Sequence, residues 1–180
     1  GGSGARFRIE HAQILDTRDI PKFHQLGVLP MMQPTHCTSD MGWAGDRLGQ
    51  ARLAGAYAWK SLIDDGNIVP AGSDFPVESP NPLLGFYAAI TRQTVSGNPP
   101  GGWNPAQCMT RDEALKAFTI WGAYAAFQEE LRGSIQVGKV ADLVVLSDDI
   151  MTIPAGRIPS VVVEKTISRG AVVFDRGNHQ

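Results

Sequence analysis

Three short apolar runs each end in a residue that can do chemistry. Phe7, Ile9 and His11 alternate with Arg8 and Glu10, the period-two pattern of a strand. Val28 to Gln33 is apolar on both faces, as a parallel strand covered on both sides would be, and it leads to Pro34-Thr35-His36. Ile68-Val69-Pro70-Ala71 stops at Gly72-Ser73, and Asp74 stands where the chain enters a loop punctuated by Pro76 and Pro80. Side chains at the carboxyl ends of parallel strands converge on one open face, so three strand ends carrying His, His and Asp define a candidate site.

Helical patterns fill the intervals. Ile20, Phe23, His24 and Leu26 share one face, with Pro21 suited to a first turn and Gly27 to a stop. Thr38 to Gly45 reads as a loop. A helix is expected from about Gln50 to Asp65, with Trp59, Leu62 and Ile63 as its buried stripe. Another covers Leu83 to Gln93, and the Gly- and Pro-rich stretch from Ser96 to Pro105 reads as an exposed excursion. Thr110-Arg111-Asp112-Glu113 is a capping box opening a helix that continues through Phe118 and Trp121 to about Leu131, where Gly133 closes it. Beyond Gly133 the pattern turns to short β runs: Ser134–Val137, Ala141–Leu146, Val161–Ser168 and Ala171–Phe174, with turns at Gly138-Lys139 and Arg169-Gly170.

The chain has 180 residues, 43% hydrophobic and 19% charged, enough to bury a core. A net charge of -2 argues against electrostatic binding to nucleic acid or an anionic membrane. No apolar stretch approaches the roughly 20 residues of a membrane span. Cys37 and Cys108 form neither a metal motif nor a disulfide framework, so a reducing cytoplasm is the expected location. Gly1-Gly2-Ser3-Gly4 reads as a linker or a cut point.

Four segments in order carry a family resemblance: Arg8-Ile9-Glu10-His11-Ala12-Gln13, Gln33-Pro34-Thr35-His36, Gly72-Ser73-Asp74-Phe75-Pro76-Val77-Glu78, and Gly133-Ser134-Ile135 with Val137-Gly138-Lys139-Val140-Ala141-Asp142-Leu143-Val144-Val145-Leu146. Together they resemble the amidohydrolase superfamily, in its family-3 or YtcJ-like branch, which includes N-substituted formamide deformylase-like enzymes. The first three resemble barrel strands six, seven and eight, and the fourth the closing piece of the family's β-sandwich. The resemblance implies an α/β fold: a partial TIM-type (β/α)8 barrel comprising about the last three strand–helix units over residues 6–132, then a β-sandwich appendage over 133–180, with residues 1–5 as linker. A complete barrel takes about 200 residues or more, and the family's first-strand His-x-His and its strand-four and strand-five ligands have no counterpart here. The chain therefore resembles the C-terminal part of such an enzyme.

The same resemblance implies roles. His11 matches the strand-six metal ligand; otherwise it is a strand-end His satisfied by a carbonyl. Asp74 matches the strand-eight aspartate, which touches the metal and acts as general base on the activated water; otherwise it caps a turn. His36 is placed to bind substrate or polarise a carbonyl, and is equally readable as a hydrogen-bonded loop His. Zinc or another divalent cation is the implied cofactor, held more weakly by a chain lacking most of the ligands. His24 and His179 read as structural or exposed. A Cys37–His36 nucleophile pair is disfavoured because neighbours in a strand point to opposite faces. Trp43, Phe75 and Trp103 either line a pocket or pack a core. Gly72-Ser73 is not a phosphate loop, since no P-loop Lys accompanies it.

Two functions are open at this point. One is hydrolysis of non-peptide C–N bonds in a small amide substrate. The other is a non-catalytic remnant or assembly module that keeps the scaffold. Open strand edges pair with other chains, so a homo-oligomer is expected.

Overall fold

The structure is a computed structural model and describes residues 4–178. Its organising feature is a set of short parallel strands. β1 (Arg8–Ile9) and β2 (Leu29–Pro30) pair in parallel, Arg8 opposite Leu29 and Ile9 opposite Pro30. Further along the second run, Met32 bridges Ala71 in parallel: the Met32 N–H donates to the Pro70 carbonyl at 2.9 Å and the Gly72 N–H to the Met32 carbonyl at 3.0 Å. The three expected strand segments thus lie side by side in chain order, and their carboxyl ends leave on the same side.

Helices make the crossovers. α1 (Ile20–Leu26) connects the first segment to the second; Gly27 ends it at φ +65°, a left-handed conformation cheap only for glycine. α2 (Pro34–Leu48) and α3 (Trp59–Asp64) connect the second to the third. α4 (Pro82–Thr91) follows, its first turn capped by the Asn81 side chain, which accepts from the Leu83 N–H at 3.0 Å. α5 (Arg111–Ala117) opens with the expected capping box: Glu113 N–H to Thr110 Oγ1 at 3.2 Å, and Thr110 N–H to Glu113 Oε2 at 2.7 Å. After α6 (Ile120–Ala125), β3 (Leu143–Leu146), β4 (Val163–Ser168) and β5 (Ala171–Asp175) form an antiparallel meander in sequential order.

The core gathers Met32, Tyr57, Trp59, Leu62, Val69, Phe86, Ala89 and Ala117, and it includes Ile158 from the 3-10 segment Ala155–Ser160. Arg111 fastens that part of the chain by donating to the carbonyls of Ile150 and Ile153.

Four sequence expectations are corrected. The stretch Thr38–Gly45, expected as a loop, lies inside α2. Pro34 presets the first turn, and burial of Cys37 and Ala44 offsets the poor helix propensity of Gly42 and Gly45. The helix expected from Gln50 to Asp65 is instead a 3-10 segment, Gln50–Gly55, an extended link, and α3. Tertiary pairing overrides propensity there: Ile14 bridges Ala56, and a Cβ on Gly55 would stand 1.8 Å from the Leu15 carbonyl oxygen. The helix expected to run to Leu131 breaks at Thr119, because the Ala117 carbonyl accepts from the Ala71 N–H at 3.1 Å. Ser134–Val137 is irregular chain leading into a turn rather than a strand, with Ile135 and Val137 in solvent.

Candidate metal centre

The three sequence-derived residues meet in space. His11 lies two residues beyond β1, Asp74 three residues beyond Ala71, and His36 in the first turn of α2. His11 Nε2 is 3.9 Å from Asp74 Oδ2, and His36 Nε2 is 4.0 Å from the same oxygen. The two imidazoles stack, centroids 5.6 Å apart and planes 12° apart. One donor atom from each of the three residues falls within a 4.8 Å span. The His36 ring is buried, whereas the side chains of His11 and Asp74 are 45% and 42% exposed, so the cluster opens to solvent on one side.

The backbone is left-handed at two of the three cluster residues and at the neighbour of one. His11 has φ +69°, Ala12 φ +37° and Asp74 φ +55°. Left-handed conformations in non-glycine residues cost of order 1–3 kcal/mol each and gather at functional sites. They fall at the first and third strand ends, a placement that hydrophobic patterning does not encode.

The donor set fits a divalent cation. The imidazole nitrogen of His11 and the carboxylate oxygen of Asp74 are ligand types zinc takes, and ligands on a tetrahedral ion about 2.1 Å away stand about 3.4 Å from each other. The observed separations need only small side-chain rotations to reach that. His36 Nε2 is buried and has no hydrogen-bond partner. An orphaned polar atom in such a place is costly unless a ligand satisfies it.

The other candidates divide between the core and the surface. Cys37 is fully buried in the core, and burial pushes its thiol up to about 12, so it is no nucleophile beside His36. Trp103 packs edge-on against Tyr57 and belongs to the interior. Phe75 and Trp43 are exposed, 66% and 49%. His24 rests near Gly66, where an added Cβ would meet its ring at 3.2 Å. His179 lies outside the described residues. Two supporting contacts around the cluster have no linear signature. Glu78 accepts from the Ser39 hydroxyl at 2.6 Å, fixing the loop after Asp74 to α2, and Asp40 of α2 accepts from Gln13, close to His11 in the chain.

A His/His/Asp cluster beyond the carboxyl ends of parallel strands is able to hold a divalent cation. The chain belongs to the amidohydrolase family, which residues 1–174 match. It is 34% identical over 174 residues to the putative amidohydrolase YtcJ of Bacillus subtilis, covering 97% of this chain and 33% of that protein. It is 29% identical to the N-substituted formamide deformylase of Arthrobacter pascens, covering 94% of this chain and 31% of that enzyme. Among solved structures, an uncharacterized metal-dependent hydrolase from Pyrococcus horikoshii superposes with a TM-score of 0.73 at 25% identity, over 83% of this chain and 30% of that one. The chain thus spans about a third of the length of these relatives. Among the described residues, no helix is long and apolar enough to cross a membrane.

Proposed function

We propose that this chain forms the C-terminal part of a metal-dependent amidohydrolase that cleaves a non-peptide C–N bond in a small amide. The parallel segments would be the last three strand–helix units of a (β/α)8 barrel, and β3 to β5 part of its β-sandwich. The observation that carries the reading is the convergence of His11 and His36 on one carboxylate oxygen of Asp74, with His36 Nε2 buried and unpartnered.

In this reading His11 and Asp74 would hold a divalent cation, zinc first among them. Such a cation supplies Lewis acidity and lowers the pKa of water towards about 7. Asp74 accepts the proton of the attacking water as general base. His36 donates its Nε2–H to the substrate carbonyl oxygen as negative charge develops there. The C–N bond then breaks and the proton passes to the departing amine. Two free cysteines support a reducing cytoplasm. Exposed Val144, Val172 and Val173 on the meander support self-association with another copy.

The test is zinc, iron and manganese per chain, by mass spectrometry on protein dialysed without chelator, in wild type, His11→Ala and Asp74→Ala. Near-stoichiometric metal in wild type and its loss in both variants is expected. Folded wild-type protein without metal overturns the reading and favours a non-catalytic scaffold.

A further inference from the structure

We infer that Gln13, Asp40 and Tyr57 form a positioning clamp that fixes the His11 segment against the helix carrying His36. The inference rests on the metal-site reading above and assigns the residues that hold the site in register. Gln13 Nε2 donates to Asp40 Oδ2 at 2.8 Å and to Tyr57 Oη at 2.6 Å, while the Tyr57 hydroxyl donates to Asp40 Oδ2. The triangle is chemically closed. Asp40 is acceptor-only as a carboxylate, the phenol gives its one proton to it, and the Gln13 amide nitrogen is shared between the two oxygens as their common donor. That bookkeeping also sets the amide's orientation, since Oε1 in place of Nε2 would face two acceptors.

The clamp stands where the chain needs it. His11 and Ala12 are consecutive left-handed residues, and Gln13 is the first residue after them. Its backbone is held as well, since the Tyr57 N–H donates to the Gln13 carbonyl at 2.7 Å. Tyr57 is itself left-handed at φ +51°, buried, and pinned by Arg92, whose Nη1 donates to the Tyr57 carbonyl at 2.9 Å. On the other side, Asp40 and His36 are four residues apart on α2 and so share a face. Fixing Gln13 against Asp40 therefore fixes one imidazole against the other. Burial, then the bond to Asp40, raises the Tyr57 phenol well above its ordinary value, which keeps it protonated as the donor this geometry requires.

The experiment compares Gln13→Ala, Tyr57→Phe, Asp40→Ala and Asp40→Asn with His11→Ala in the full chain. It measures cobalt(II) affinity with its absorption spectrum, the ring-to-ring NOE between selectively labelled His11 and His36 without metal, and folding by circular dichroism. Gln13→Ala, Tyr57→Phe and Asp40→Ala are expected to bind cobalt about 10–100-fold more weakly and to lose the NOE while remaining folded. Asp40→Asn keeps an acceptor oxygen in the same place and is expected to retain both signals. If His11→Ala loses cobalt while the clamp variants keep both affinity and NOE, the clamp is refuted and the metal site stands. If wild type binds no cobalt yet the clamp variants lose the NOE, the metal reading fails and the positioning role stands. An NOE unchanged in every clamp variant overturns the inference in either case.

Discussion

His36 stacks on His11 at a centroid separation of 5.6 Å, and it differs from its neighbour in its surroundings: its Nε2 is buried and unpartnered, whereas His11 faces solvent. A donor held in a water-poor wall is suited to a developing oxyanion, because it needs no reorganisation when charge appears. Replacing His36 by Asn keeps a polar group of similar reach but moves the donor. In the enzyme proposed above, of which this chain is the C-terminal part, turnover of acyl-amides should then fall about 10²–10³-fold in kcat/KM, with metal content unchanged. Steady-state kinetics paired with metal analysis checks this. Loss of metal together with activity would make His36 a ligand instead.

Cys37 predicts a stability change at alkaline pH. Burial raises its folded-state pKa to about 12, whereas an unfolded thiol titrates near 8.5. Between those values the folded state holds more protons than the unfolded one, so stability falls as pH rises. The contribution is fully present below about pH 8.5 and is lost towards pH 12, at no more than about 1.4 kcal/mol per pH unit. Tyr57, also raised, acts with the same sign. Urea unfolding of wild type and Cys37→Ser at pH 8, 9.5 and 11 should give a shallower decline in the variant. Equal slopes would remove Cys37 as a cause.

Arg92 is a buried cation to which the structure gives carbonyls and rings rather than a carboxylate. Nε donates to the Trp103 carbonyl at 2.6 Å and Nη1 to the Tyr57 carbonyl at 2.9 Å. The guanidinium lies 4.4 Å from the Trp59 ring centroid and 5.1 Å from that of Trp103. A planar fork can bond two carbonyls while stacking on indoles, whereas an ammonium cannot. Arg92→Lys should therefore destabilise by about 2–3 kcal/mol despite conserving charge. Chemical denaturation measures it, and a loss below about 0.5 kcal/mol would contradict this account.

Much of the architecture was legible in the sequence because it rests on local rules. Gly27 and the Thr110–Glu113 box mark helix ends through backbone hydrogen bonding, and both act as written. The β-type runs at Leu143, Val163 and Ala171 became the meander because alternating, branched side chains favour extended chain. The candidate site residues were legible for a different reason: a chemistry-bearing residue after an apolar run is a visible pattern.

What only the tertiary structure decided are the places where two distant segments compete for one backbone. Gln50–Asp65 had helical patterning throughout, yet the bridge between Ile14 and Ala56 and the close approach of Gly55 to Leu15 pulled its middle straight. The Ala117 carbonyl went to Ala71 rather than to its own helix. His36 moved from an expected strand end to the first turn of α2, with its ring buried and Nε2 without a hydrogen-bond partner. The left-handed turns at His11 and Asp74, and the Gln13–Asp40–Tyr57 triangle, join residues from separate elements. Local propensity sees a few neighbours along the chain. Which backbone group finds which partner across the fold is a global balance, and it is that balance which brings two imidazoles and a carboxylate to one point.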